Sequence, residues 1–131
     1  MSPEERAEGL AAAARVQRDA LLALGNALAD QHLIEVLNAP AAGSLVVELA
    51  TEVGGFCLTE AIVTTASVRV DGRVGWASVA GWDDEAALAA AICDGWSDRS
   101  VEQLARDSLH QEAESRESEA LAVARTGLNL G

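Results

Sequence analysis

Aromatic residues are nearly missing from this chain: one phenylalanine, Phe56, three tryptophans, Trp76, Trp82 and Trp96, and no tyrosine. Two cysteines, Cys57 and Cys93, are too few and too far apart for a disulfide framework or a metal knuckle. Positive charge is also short, with nine basic against twenty-one acidic residues and a formal net charge of −12. Such a field repels phosphate backbones and anionic headgroups, which argues against nucleic-acid and membrane-surface binding. No apolar run approaches the length of a bilayer span, and the opening Met-Ser-Pro-Glu-Glu-Arg lacks the basic and apolar regions of a signal peptide. A soluble cytoplasmic protein is the expectation. What is present is a hydrophobic half made largely of alanine, in 131 residues that suit a single domain over 1–131.

Residues 54–83 organise the rest. AIVTTASVRV and RVGWASVAG are rich in β-branched residues and joined by Asp71-Gly72, a pair suited to a type I′ turn with φ > 0 at both positions. The hairpin register follows. Val68 opposes Gly75, Ala66 opposes Ala77 and Thr64 opposes Val79 on one face, with Arg69/Val74, Ser67/Trp76 and Thr65/Ser78 on the other. Neither face is cleanly polar, so helices are expected over one and a second cover over the other.

Before this hairpin, Ser2-Pro3-Glu4-Glu5 reads as a capping box opening a helical region to residue 30. Polar residues near Gln17 split it into one bent helix or two short ones. His32–Leu37 and Ser44–Ala50 read as two strands joined by turn material at Asn38–Gly43. After the hairpin, Asp83 can cap an alanine-rich helix closed by Gly95, and Ser97-Asp98 or Ser100 can cap the last one. Arg116 is placed to pair with Glu112 and Glu119. Ala120–Val123 are expected to dock, and the closing Gly127–Gly131 to be loosely ordered. The sum is an α+β fold: a four-stranded, mainly antiparallel sheet of two hairpins over 31–81, flanked by helices over 1–30 and 83–125.

Motifs that would carry chemistry are scarce. His32 and His110 sit in different elements without ligand spacing, and Cys57 and Cys93 both read as small buried fillers. Asp83, Asp84 and Glu85 fit a helix start. Gly54-Gly55 lacks the following Lys-Ser/Thr of a phosphate loop. No catalytic residue, metal site or cofactor is expected. Trp76 reads first as core and second as an anchor, and Trp82 equally as a partner contact.

The central stretch resembles the PhnG subunit family of the bacterial carbon–phosphorus lyase system. Leu37, Pro40 and Gly43 match that family's Leu-Arg-x-Pro-Glu-x-Gly segment, and Gly54, Gly55, Phe56, Leu58 and Glu60 its Gly-Gly and Phe-x-Leu-Gly-Glu segments, with two fewer intervening residues. Thr64, Val68 and Arg69 match the following strand, Gly72 and Gly75 the turn region, and Gly81, Asp83, Ala87, Ala90, Ala91 and Asp94 the helix. This chain is a divergent version. Asn38, Thr65 and Trp82 stand where the family has arginine, and Ala41 and Leu88 where it has glutamate.

The resemblance implies an accessory subunit with no active site of its own. It would work with PhnH-, PhnL- and nucleosidase-type PhnI-like subunits that join a phosphonate to the ribose C1 of a nucleoside triphosphate, displacing adenine. The PhnI-like subunit is the first partner expected, with a homodimer left open. The missing arginines fit poorly with direct handling of polyanions and keep open a second reading, an interaction or regulatory module that kept the fold alone. A stand-alone enzyme using Cys57 or acidic residues is the third alternative.

Overall fold

In the computed structural model, which describes residues 1–50 and 54–129, four helices lie over one face of a three-stranded antiparallel sheet. The first helix, α1 (Pro3–Val16), starts where Ser2 Oγ accepts the Glu5 N–H at 3.1 Å. The break at Gln17 resolves the first helical region into two. Gln17 donates its N–H to the Ala13 carbonyl and accepts the Leu21 N–H, so one residue ends α1 and begins α2 (Arg18–Gln31).

The sheet runs β1 (Ile34–Ala50), β2 (Phe56–Val70), β3 (Arg73–Ala80), in that spatial order. Asp71 and Gly72 both take positive φ, 46° and 87°, and the β2–β3 register is the one the turn dictates, Val68 to Gly75, Ala66 to Ala77 and Thr64 to Val79. All six residues are buried. The expected fourth strand is not formed. Asn38–Gly43 does not turn; it continues a single 17-residue strand. Register shifts between Val36 and Asn38 and between Asn38 and Ala41 absorb the turn-like residues as bulges. Pro40 sits in that irregular stretch of an edge strand, where a missing N–H breaks no regular ladder.

Two further helices close the layer, α3 (Asp84–Trp96) and α4 (Arg99–Asn129). Five buried alanines let α3 pack closely on its neighbours, Ala89 against Gly25 of α2 and Ala91 against the sheet. The crossing point is Gly75 on β3 against Ala91 and Gly95 on α3, a contact with no room for a methyl group. α3 runs past Gly95, expected to close it, and is ended two residues later by Ser97 in the left-handed conformation; Asp98 then caps α4 by accepting the Val101 N–H at 3.0 Å. Residues 127–129 are helical, contrary to the loose tail expected there, and α1 packs on α4. The docking expected of Ala120–Val123 and the Glu119 partner of Arg116 lie outside the described side chains; the Arg116–Glu112 pair forms at 2.8 Å.

Three arginines tie this layer together. Arg6 meets Asp94 at 2.9 Å, and the other Asp94 oxygen accepts the Trp76 N–H at 2.9 Å. Arg15 forms a fork with Glu112 and Arg18 a fork with Asp83. The core they surround is almost wholly small and aliphatic: Leu10, Leu21, Val68, Val70, Val79, Val101 and the α3 alanines.

Candidate functional site

Helices cover one face of the sheet; no element among the described residues covers the other. Alternation places Val74, Trp76 and Ser78 of β3 on that open face beside Thr65, Ser67 and Arg69 of β2. Trp76 is 51% exposed and Val74 62%, so the expectation of a core tryptophan is corrected. Its neighbour Gly75 fills the buried position, and period-two alternation sends the indole outward. The bulges of β1 form a cavity of about 310 Å³ beside Trp76, lined by Asn38, Ala39, Ala41, Thr65, Ala66 and Ser67. Asn38 Nδ2 donates to Ser67 Oγ at 2.7 Å across its floor. Every lining residue is uncharged, so the cavity holds no group to neutralise an anion or to transfer a proton. The resemblance implies charged residues at three of these positions, Asn38, Ala41 and Thr65, which are scattered in sequence and lie together around the cavity.

Thr64, Gly81 and Asp83 come together at a corner where the sheet hands the chain to α3. Thr64 is fully buried, donates its hydroxyl to the Gly81 carbonyl at 2.6 Å and accepts the Asp83 N–H at 3.1 Å. Gly81 turns with φ 80°. Asp83 Oδ1 then accepts the Ala86 N–H at 3.2 Å, capping α3 as its spacing predicts. The fork from Arg18 holds the Asp83 carboxyl below the usual carboxylate range, against the opposing effect of partial burial, and the Ala86 N–H adds to it. Asp83 in turn raises the already high pKa of Arg18. These motif residues form a structural node. Trp82 projects from the same corner, 78% exposed, in a shallow depression shared with Arg18, Asp83, Asp84 and Glu85.

The other motif positions lie apart from it. Gly54, with φ 82°, and Gly55 are exposed next to the far end of β2, which Phe56 begins; the Phe56 side chain is outside the described residues. Glu60 is exposed along that strand. Arg69 pairs with Glu35 at 2.7 Å toward its other end. The motif is thus spread along β2 and gathered at only one corner.

Cys57 is exposed, not the buried filler expected, because it lies where β2 has left the helical layer. Cys93 is buried, and burial pushes its thiol up to about 12. Sequence reasoning missed a cluster around His32. Its Nδ1 lies 2.6 Å from Asp71 Oδ2, its ring centroid 3.8 Å from that of Trp96, and the Arg73 guanidinium covers Trp96 at 4.9 Å. Asp71 Oδ1 accepts the Leu33 N–H at 2.8 Å, and that bond followed by the one to His32 keeps the carboxyl below its ordinary range. The cluster staples the β2–β3 turn to the end of α3. Only the turn signal at Asp71 pointed toward it, since the partners are distant in sequence. Among the described residues no three His, Cys, Asp or Glu side chains are grouped to hold a metal, and no helix is long and apolar enough to cross a membrane.

A comparison with curated proteins found no match. A comparison with protein-family models matches residues 4–128 to a family described as phosphonate metabolism protein PhnG, a span that includes the whole sheet and all but the end residues of the helical layer. With its β2 motif, its Gly81–Asp83 corner and all but the ends of its sequence inside that match, the chain belongs to the PhnG family.

Proposed function

We propose that this protein is a cytoplasmic accessory subunit of a carbon–phosphorus lyase assembly. It acts as a scaffold for the subunits that transfer a phosphonate to the ribose C1 of a nucleoside triphosphate with loss of adenine, and it contributes no active site of its own. The observation that carries the reading is the open sheet face: a half-exposed tryptophan beside an uncharged cavity, on a chain that belongs to a phosphonate-metabolism family. Exposed tryptophan next to a depression is the usual composition of a binding hot spot. Trp76 and Trp82 are the anchors, and a nucleosidase-type PhnI-like subunit is the first partner. Co-expression tests this. The two subunits are expected to co-purify at fixed stoichiometry, and Trp76→Ser to weaken the complex by about 30-fold, the size of an ordinary hot-spot loss. A chain that stays alone beside a folded partner refutes the proposal.

A second reading draws on the cavity. The uncharged residues Asn38, Ala41 and Thr65 around it favour an interaction module that kept the fold and gave up the phosphonate role. The two readings separate by complementation. Growth on methylphosphonate in a strain lacking its own PhnG-type subunit supports the scaffold; failure of a soluble, folded chain to restore growth supports the module.

A further inference from the structure

The two longest strands outrun the sheet. β3 stops pairing at Ala80, opposite Val63, and Gly81 leaves after a last bond from its N–H to the Ile62 carbonyl at 2.8 Å. Beyond that point β2 continues to Phe56 with β1 on one side and, among the described residues, no strand on the other. Backbone groups of an antiparallel strand alternate between its two sides. Ile62 faces the β3 side, so Glu60 and Leu58 face it too and offer their N–H and C=O groups to an empty edge. The Leu58 carbonyl is met by the Cys57 thiol at 3.8 Å, a weak contact that a backbone donor would displace.

Side chains add a second constraint. A two-stranded ribbon alone is marginal in water, and this one exposes Val46 at 68% and Leu58 at 69%. Val46 pairs with Glu60 and Glu48 with Leu58, which makes Glu48 and Glu60 diagonal neighbours on one face. Neither glutamate has an ion-pair partner among the described residues.

We infer that the open edge of β2 at Leu58 and Glu60 accepts an extended segment of a partner subunit, which carries a lysine or arginine over Glu48 and Glu60. The segment continues the sheet where β3 stops, so main-chain bonds hold it and the paired carboxylates select its charge. A second copy of this chain fits less well. Two β2 edges paired about Thr59 would bring both copies of Glu48 and Glu60 onto one face, in chains that each carry −12. The inference rests on the reading that the protein works within a complex, and its test separates the two.

Amide hydrogen exchange is measured on the full chain, alone and co-expressed with the nucleosidase-type subunit. In the free chain the Leu58 and Glu60 amides exchange fast, while Thr59 and Ala61, which face β1, are protected. In the complex Leu58 and Glu60 slow by roughly 100-fold or more, as expected of amides newly bonded in a ladder. Leu58→Pro removes an edge donor without touching the β1 ladder and is expected to weaken the complex at an unchanged melting temperature. The double variant Glu48→Lys/Glu60→Lys, which leaves every backbone donor in place, is expected to weaken it by about tenfold or more. A complex that forms while Leu58 and Glu60 still exchange fast overturns the edge and leaves the complex standing. Absence of any complex overturns both. Slowing that appears in the free chain as its concentration rises assigns the edge to a second copy and also overturns the inference.

Discussion

Replacing Gly75 by alanine is the most severe single-methyl change this fold offers. A Cβ built at that position overlaps the Ala91 carbonyl oxygen and the Gly95 amide nitrogen and lies 2.7 Å from Gly95 Cα. All three are backbone atoms, so no side chain can swing aside. The added methyl would gain at most about 0.8 kcal/mol from burial. Against this, β3 and α3 must separate by roughly 1 Å, and the dense packing of the α3 alanines on the sheet loosens with them. Overpacking of this kind costs about 3 kcal/mol, which lowers the melting temperature of a domain this size by roughly 10 °C. Urea denaturation followed by circular dichroism measures it, with the slope unchanged if the native and unfolded states keep their exposed areas. The matched control is Gly43→Ala. No atom lies within 4 Å of a Cβ there and the backbone is extended, so a change below about 0.5 kcal/mol is expected. A Gly75→Ala protein as stable as the parent, or a control equally damaged, would refute the close-crossing argument.

Other perturbations probe the same structure elsewhere. Asp83→Asn keeps an N-cap side chain but removes the charge that Arg18 binds. Because the folded carboxyl titrates below its ordinary range, the pair contributes stability above that range and loses it as pH falls through the folded value. Urea melts should therefore show a small deficit at neutral pH, of the order of other exposed ion pairs, that closes below about pH 4. A thiol reagent at pH 8 should label one cysteine quickly in the folded chain and two after denaturation, since Cys57 is exposed and Cys93 is buried with its thiol pushed up to about 12. Cys57→Ala should leave that fast phase absent and, by the reasoning above, partner binding intact. Ser108 is fully buried on α4 with no hydrogen-bond partner for its hydroxyl among the described residues. Ser108→Ala is thus expected to be neutral or to stabilise by up to about 1 kcal/mol, and an equivalent loss in urea melts would reveal an unseen partner.

Features governed by neighbours in sequence were legible from the chain. Asp71-Gly72 dictated a turn, the turn dictated the β2–β3 register, and the break at Gln17 and the caps at Ser2 and Asp83 followed from local chemistry. The β1 strand was misread because Asn38, Pro40 and Gly43 are turn residues by propensity. Pairing with β2 overrode them, and two bulges accommodated the misfit. Outward placement of Trp76 was implicit in its register opposite Ser67, but the uncovered face depends on where helices pack, which the local pattern does not contain. The Arg6–Asp94 and Arg18–Asp83 pairs, the His32 staple and the cavity at Asn38 all join distant residues. No spacing rule reaches them.

The arginine ties of the helical layer bear on when that layer can form. Arg6 and Asp94 are 88 residues apart, and Arg15 and Glu112 are 97 apart. α1 and α2 emerge before the sheet, yet α1 finds its main helical partner only once α4 has been made. The meander from β1 to β3 has local connections and can pair as soon as it is out. Until α3 arrives a growing chain can cover its sheet only with α1, over β3, and α1 itself waits for α3 and α4 to complete its packing. Closure of α1 onto α4 would be the late, slow step of folding, governed by loop closure across the 97 residues that separate Arg15 from Glu112.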